Sequence, residues 1–252
     1  MYLSPRDVAQ YDRDGFLLVP DLFTDREVAA MLHDVESGEK ISALAYGVND
    51  SGGRASKLAL WFEWKDDIWG AASICPRIVN NVRILMREEI SFYHGKVMLK
   101  EAHSGGAWEW HQDYGYWYSG FAFPRLMSAF VALDQATREN GCLQVLRGSH
   151  LLGRLDHGMV GNQIGADRGR IAEIEGLFER VSCEMSPGSV LFFHCNLLHS
   201  SAPNDSARSR RSFITAYHAL DNPRFGSNPA DRRVCPVGSD DDIMRIATRH
   251  DA

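Results

Sequence analysis

The chain has 252 residues, 44% of them hydrophobic and 24% charged, with a formal net charge of −6 at pH 7. This length buries a sizeable core without disulfide or metal staples, and the negative charge excludes a general attraction to nucleic acid or anionic membranes. Because no apolar run approaches the roughly 20 residues that cross a bilayer, we expect a soluble protein with a single domain over residues 1–252.

The first residues and the cysteines indicate the cellular compartment. The segment "MYLSPRDVAQYDRDGF" lacks the basic and apolar regions of an export signal, so we expect a cytoplasmic protein. The five cysteines are scattered and form no CxxC motif, which argues against a disulfide framework or a thiolate zinc site. The sequence does not indicate an oligomeric state.

The residue pattern in the N-terminal third of the sequence predicts mainly helices. Ser4 and Pro5 begin a short helix, and the strand "GFLLVP" follows it. Thr24 and Glu27 form a capping box at the start of an amphipathic helix. Residues 41–56 are rich in Gly, Ser, Asn and Asp and predict a loop, residues 58–69 a helix or interface segment, and residues 75–86 a helix.

Beyond Ser91 the pattern changes to short β-type runs separated by turn signals such as "ENG" and "SPGS". Many short strands without long helices between them are typical of a sandwich or closed barrel. We therefore expect a mainly β fold with flanking α-helices, in which N-terminal helices within residues 1–90 pack on a β core of about residues 91–220.

The segment "AWEWHQDYGYW" places His111 and Asp113 two residues apart. In a strand these side chains point to the same face, which is the geometry of a chelating pair. On its own the triplet is weak evidence, because a histidine on a strand is more often structural.

Two later segments extend the pattern. "FFHCNLLHSS" offers His194 within a strand and His199 at its end, and "ARSRRSFITAYHA" opens a strand with Arg210 or Arg211. An arginine facing inward at the start of a core strand needs an anion, and its planar fork suits a carboxylate. The order of HxD, distant histidine and arginine is that of the two-histidine, one-carboxylate triad of non-haem Fe(II) oxygenases.

At this point the chain resembles the phytanoyl-CoA dioxygenase family of Fe(II)- and 2-oxoglutarate-dependent oxygenases, with similarity to its ectoine hydroxylase branch. "YDRDGFLLVPDLFTDREV" is similar to the family's opening, "WHQD" to its metal motif, "ENGCLQVLRGSH" to its central segment and "HSSAPNDSARSRR" to its distal motif. The resemblance implies a double-stranded β-helix, a cupin-like jelly roll, with iron near one mouth.

The resemblance also implies roles for individual residues. It assigns iron to His111, Asp113 and His199, and 2-oxoglutarate to Arg210, with further cofactor contacts from Ser201, Lys100 and Trp117. The implied reaction uses O₂ and releases succinate and CO₂ while a C–H bond is hydroxylated or desaturated. A carboxylate at position 113 favours this outcome over halogenation, because related halogenases carry a small residue there.

The substrate is less well defined by the sequence. Tyr114 and Tyr116 follow the metal motif and are candidates to pack against a small polar metabolite. Arg147 stands where the family has proline and His94 where the ectoine hydroxylase branch has glutamine, so both are candidate substrate contacts. Alternative substrates are an acyl-CoA or a natural-product intermediate.

Two other classes of protein remain open at this stage. A zinc-dependent hydrolase can use the same three ligands, but it gives the arginine no reason to be there. A non-catalytic jelly-roll binding protein is favoured only if one of the three ligands is missing, and all three are present.

Overall fold

The computed structural model describes residues 2–250. The helices are α1 (Pro5–Asp14), α2 (Asp25–Ser37), α3 (Glu39–Leu44), α4 (Ile68–Ser73), α5 (Pro76–Met86), α6 (Asp113–Trp117), α7 (Arg168–Ile174) and α8 (Asp242–His250). The strands are β1 (Phe16–Val19), β2 (Ala45–Asn49), β3 (Ala55–Trp61), β4 (Ile90–Lys100), β5 (Trp108–His111), β6 (Leu126–Ala132), β7 (Leu143–Leu146), β8 (His157–Val160), β9 (Gln163–Ala166), β10 (Arg180–Cys183), β11 (Val190–His194), β12 (His199–Ser201) and β13 (Arg210–Ala219).

The strands form a jelly-roll core of antiparallel sheets. The major sheet has the order β1-β11-β6-β13-β4-β3-β2, and the minor sheet has the order β10-β7-β12-β5. Strands β8 and β9 form a separate hairpin. Apolar side chains of both sheets, such as Phe130 and Ile214 of the major sheet and Leu143 and Val145 of the minor sheet, share one buried cluster. This cluster fills part of the space between the sheets, where the candidate site lies.

Helices cover the other face of the major sheet. Val97, Val131 and Phe213 of this outer face pack in one cluster with Val28 of α2 and Ile78 of α5. Because neighbouring residues of a strand point to opposite faces, the same strands send Met98, Phe130 and Ile214 to the inner face. The helices therefore leave the inner face free for a site. No helix within residues 2–250 has the length and apolar character needed to cross a membrane.

Several predictions for the N-terminal third are confirmed. Ser4 caps α1 and Thr24 caps α2, and in both cases the acidic side chain three residues on, Asp7 or Glu27, completes a capping box. The strand predicted from "GFLLVP" is β1, and the helix predicted at Pro76 is α5. These elements are specified locally, by caps and by hydrophobic periodicity.

Other predictions for this region are wrong. Residues 41–56, predicted as a loop, contain most of α3, all of β2 and the start of β3, and residues 58–69, predicted as a helix or interface segment, are mainly β3 and the approach to α4. Residues 1–90 therefore supply three strands to the major sheet as well as the covering helices. The hairpin of β2 and β3 is held by pairing with β4, a tertiary contact that local composition does not reveal.

Candidate active site

Three buried side chains meet between the sheets. Ligand atoms of His111, Asp113 and His199 all lie within 4.8 Å of one another. His111 ends β5 and His199 begins β12, and the two residues are direct partners across these antiparallel strands. Their ring centroids are 4.0 Å apart, and His199 Nε2 lies 3.9 Å from Asp113 Oδ1. The structure thus brings together the three residues that the sequence singled out.

Backbone carbonyls orient both imidazoles. Nδ1 of His111 lies 2.7 Å from the carbonyl oxygen of Glu109, and Nδ1 of His199 lies 2.9 Å from that of Leu197. In the neutral tautomer Nδ1–H donates to the carbonyl, so the lone pair of Nε2 is free to bind a metal. Burial lowers the pKa of both histidines, which keeps them neutral near pH 7.

Asp113 does not continue the strand, contrary to the sequence prediction. Strand β5 ends at His111, and Asp113 is the first residue of α6. Ser128 Oγ donates a 2.6 Å hydrogen bond to Asp113 Oδ2. Burial raises the pKa of Asp113, but the charge of Lys96, the two histidines and the Ser128 hydrogen bond lower it to about 2. The carboxylate is therefore ionised at neutral pH.

The turn between β5 and α6 is fixed by Gln112. Its Nε2 donates to the carbonyl oxygens of Gly153 (2.7 Å) and Asn196 (2.8 Å), and its Oε1 accepts from the backbone N–H of Leu155 at 2.7 Å. Its own backbone N–H donates to His157 Nε2 at 2.9 Å. Every polar group of the side chain is thus bonded to the protein, so the residues on either side of Gln112 are held in place without a metal.

A cavity extends from the histidines toward the start of β13. Its apolar walls include Leu58, Met98, Phe130, Leu143, Phe193 and Ile214. Its polar lining includes His111, His199, Ser201, Arg210 and Lys96. Sequence analysis missed Lys96, although the alternation of His94, Lys96, Met98 and Lys100 along β4 places all four on one face. It also missed Ser128, which carries no sequence signal of its own.

The two consecutive arginines have opposite surroundings. Arg211 donates to Asp134 through Nε at 2.7 Å and also pairs with Glu36. Arg210 is 3% exposed, its Nε has no hydrogen-bond partner within residues 2–250, and its guanidinium lies 5.8 Å from the ring centroid of Phe130. Burial lowers the pKa of Arg210 to about 10, so it is still a cation at neutral pH. Of the two candidates, only Arg210 is free to receive a carboxylate from a ligand.

Lys100 and Ser201 lie beside Arg210. Lys100 is paired with Arg210 across β4 and β13, and its Nζ donates to Ser201 Oγ at 2.8 Å and to the carbonyl oxygen of Ala202. Burial, and then the charge of Arg210, lower the pKa of Lys100. The lysine therefore anchors the Ser201 hydroxyl next to the free guanidinium.

Four of the remaining candidates are not among the residues that line this cavity: Trp117, His94, Tyr116 and Tyr114. Trp117 and His94 are buried neighbours with ring centroids 5.5 Å apart, and burial lowers the pKa of His94 to about 3. The Tyr116 ring lies 5.3 Å from His111, and its hydroxyl donates to the carbonyl oxygen of Ile164. Tyr114 packs in the interior, with its hydroxyl bonded to the carbonyl oxygen of Phe121.

Arg147 is engaged elsewhere. Its guanidinium pairs with Asp14 at 2.6 Å and with Glu179 at 2.7 Å, and it is not among the residues that line the cavity. The cation that replaces the family's proline therefore binds carboxylates of its own chain. Asp14, which is fully buried at the end of α1, is thus paired with both Arg147 and the neighbouring Arg13.

The donor set fits a divalent metal and a dicarboxylate. Two neutral imidazoles and one ionised carboxylate leave other metal positions free, which is the arrangement of non-haem Fe(II) oxygenases. A buried, unpaired guanidinium in the lining of the same cavity suits a bidentate carboxylate. The same cavity is also lined by apolar side chains such as Leu143, Phe193 and Ile214, which suit the carbon chain of such a ligand.

Residues 11–212 match the family model for phytanoyl-CoA dioxygenase (PhyH). The ectoine dioxygenase of Bordetella bronchiseptica is 28% identical over 261 residues, covering 92% of this chain and 82% of the relative. The L-proline trans-4-hydroxylase of Streptomyces griseoviridis is 27% identical over 262 residues, covering 92% and 95%.

Solved structures support the same fold. The crystal structure of EctD from S. alaskensis with 2-oxoglutarate and 5-hydroxyectoine has a TM-score of 0.75 and 22% identity, covering 94% of this chain and 88% of that one. The epimerase SnoN from nogalamycin biosynthesis, in complex with Fe³⁺, alpha ketoglutarate and nogalamycin RO, has a TM-score of 0.71 and 23% identity, covering 93% and 95%. Since the family model matches most of its length, the chain belongs to the phytanoyl-CoA dioxygenase (PhyH) family.

Proposed function

We propose that this protein hydroxylates a C–H bond of a small polar metabolite, with its iron held by His111, Asp113 and His199. As a member of its family it is a dioxygenase that depends on Fe(II) and 2-oxoglutarate. The observation that carries the proposal is one cavity lined by the unpaired Arg210 and by two of the three clustered ligands, His111 and His199. A zinc-dependent hydrolase does not explain why the buried Arg210 is left without a carboxylate partner.

Different residues of the cavity bind 2-oxoglutarate and exclude water. When bound, Fe(II) supplies activation of O₂ coupled to oxidative decarboxylation of 2-oxoglutarate to succinate and CO₂. Arg210 binds the carboxylate of 2-oxoglutarate that lies far from the metal, and the Ser201 hydroxyl, oriented by Lys100, contacts the same group. Leu143 and Phe193 wall the space between and exclude water, which strengthens these charge interactions.

The substrate approaches from the side of the aromatic residues that follow the metal motif. Trp117 and His94 pack on each other, and Tyr116 lies against His111, so these rings border the space beside the proposed ligands. A small polar metabolite is supported by two relatives whose names give their substrates, ectoine and L-proline. Neither Arg147 nor Tyr114 belongs to this proposal, since both are engaged within the protein.

We also propose that residues 1–252 act as a single domain in the cytoplasm. One apolar cluster runs from Tyr11 to Ile246, so the N-terminal and C-terminal helices share a core with the strands. The five cysteines are free and buried, as is typical of proteins in a reducing compartment.

The experiment is a metabolite screen with the metal-loaded enzyme. Protein purified without metal and loaded anaerobically with Fe(II) and 2-oxoglutarate is exposed to O₂ and each metabolite, and succinate is measured. We expect one group of small polar compounds to stimulate succinate formation and to gain one oxygen atom. A protein that binds no 2-oxoglutarate in the presence of Fe(II), or that hydrolyses esters or amides when loaded with Zn²⁺, would contradict the proposal.

A further inference from the structure

Lys96 is a cation in the cavity for which the proposed function provides no partner. It lies on β4, is half-buried and lines the same cavity as His111, His199 and Arg210. Within residues 2–250 no carboxylate approaches its ammonium to the 4.0 Å of an ion pair. Its charge does reach the metal site, since among the neighbouring charges it contributes most to the lowered pKa of Asp113.

The charges of the loaded site balance without Lys96. Bound Fe(II) would bring two positive charges, which Asp113 and one carboxylate of 2-oxoglutarate would neutralise. Arg210 neutralises the second carboxylate of 2-oxoglutarate. Lys100 donates to Ser201 and Ala202 and is not part of the cavity lining. One positive charge, on Lys96, is left over in a partly desolvated space, where an unpaired charge is costly.

A second observation places a free polar atom beside this charge. His94 lies two residues before Lys96, on the same face of β4. It is 3% exposed, and its Nδ1 has no hydrogen-bond partner in the described part of the chain. The rings of Phe62, Tyr93 and Trp117 surround His94, with centroids 4.9–5.9 Å from its own. A lysine of the cavity lining and, two residues before it on the same strand face, an unsatisfied imidazole surrounded by aromatic rings are thus neighbours on β4.

We propose that Lys96 binds a carboxylate of the substrate, so that the enzyme acts on small carboxylic acids whose carbon skeleton packs against the rings around His94. This inference rests on the proposed function and narrows its substrate class. The ammonium fixes one end of the molecule by a charge-assisted hydrogen bond, which holds one C–H bond near the metal. His94 Nδ1 offers a hydrogen bond to a second polar group and adds no charge.

The first test measures co-substrate binding and needs no substrate. The dissociation constant of 2-oxoglutarate is measured anaerobically with Fe(II) for the wild type, Lys96→Met and Lys57→Met. Lys57 is the matched control, because it is exposed on the neighbouring strand β3 and lies outside the cavity lining. We expect all three values to agree within about twofold. A clearly weaker affinity in Lys96→Met alone would show that Lys96 holds 2-oxoglutarate, and the proposal would be overturned.

The second test uses matched pairs of acids and amides. L-Proline and L-prolinamide, and further small carboxylic acids with their carboxamides, are titrated into the wild-type enzyme loaded with Fe(II) and 2-oxoglutarate without O₂. We expect acids to bind and the paired amides to bind at least about tenfold more weakly, as for loss of one hydrogen bond to a charged group. Amides that bind as well as acids, or a set in which no acid binds, would overturn the proposal.

Binding of the best acid is then compared between the wild type and three variants. Lys96→Met should weaken binding of the best acid by about tenfold to a hundredfold, Lys96→Arg should restore most of that loss, and Lys57→Met should change nothing. If the wild type fails to bind 2-oxoglutarate at all, the proposed function fails. If it binds 2-oxoglutarate and prefers neutral substrates, only the inference about Lys96 fails.

Discussion

The two faces of the major sheet differ in whether their cationic side chains have carboxylate partners. On the outer face Arg211 is held by Asp134 and Glu36. On the inner face the preceding residue, Arg210, is almost fully buried and has no carboxylate partner within residues 2–250. Lys96, also on the inner face, has none in the described part of the chain either. Ion pairs on the outer face attach a helix to the sheet, whereas the free cations of the inner face are suited to bind anionic ligands.

The largest effect is expected from removing the one carboxylate of the metal site. Asp113→Ala should weaken Fe(II) binding and lose substrate-coupled succinate formation, because two neutral imidazoles remain without the anionic ligand. Metal content and O₂ uptake measure the loss. Asp134→Ala removes a carboxylate from the outer face and should keep both. Normal coupled O₂ consumption in Asp113→Ala would contradict the proposed ligand set.

Substitutions of Arg210 and Arg211 test the difference between the two faces of the sheet directly. Arg210→Ala should weaken 2-oxoglutarate binding by about 2–5 kcal/mol, since a desolvated charge pair is lost. Arg211→Ala should leave this affinity unchanged and lower the free energy of unfolding by about 1 kcal/mol, as for a half-buried ion pair. Calorimetric titration and thermal unfolding measure the two quantities. The reverse result, with 2-oxoglutarate depending on Arg211, would reverse the assignment.

Buried His94 predicts a pH-dependent stability. Its folded-state pKa of about 3 lies below the ordinary value of 6.5, so below pH 6.5 the unfolded chain binds a proton that the folded protein does not. Stability should therefore fall as the pH falls, by about 2 kcal/mol at pH 5 from this residue. His94→Gln should make the decline shallower, while His33→Gln on the exposed surface of α2 should not. Equal pH profiles for the wild type and His94→Gln would refute this account.

The smallest effect is expected from a hydroxyl group that orients Asp113. Ser128→Ala removes the hydrogen bond to Asp113 Oδ2 and should weaken Fe(II) binding by roughly tenfold, as is common for groups that orient metal ligands. Ser186, whose hydroxyl lies 3.2 Å from Asp21 Oδ1 near the surface, gives the control Ser186→Ala. A competition titration with a chelator measures the affinity. Unchanged affinity in Ser128→Ala would mean that helix α6 alone fixes the carboxylate.

A helix or strand could be predicted from the sequence where the residues of that element specify it by themselves. The cap at Ser4, the capping box at Thr24 and the alternating strands after residue 91 contain their own signals, and the structure confirms them. The strands β2 and β3 depend on pairing with β4, and their Gly- and Ser-containing segment has the composition of a loop. Whether such a segment forms a strand depends on its pairing with a distant strand, which a single sequence does not show.

The same distinction applies to the site. His111 and Asp113 were paired by strand alternation, but Asp113 reaches the metal site from the first turn of α6. That turn is fixed by Gln112, whose partners lie about forty and eighty residues further along the chain. The choice between Arg210 and Arg211 also needed the structure, because only the positions of Asp134 and Glu36 show which guanidinium is occupied.

The place of β1 in the major sheet has a consequence for synthesis of the chain. Phe16 pairs with Phe193 and Val19 with Val190, so β1 leaves the ribosome long before the strand with which it pairs. Until β11 emerges, four consecutive apolar residues lack their neighbour, and long-range pairing of this kind makes folding slow and exposes the nascent chain to aggregation. Slow translation at low temperature, or a chaperone that shields this segment, should raise the yield of folded protein.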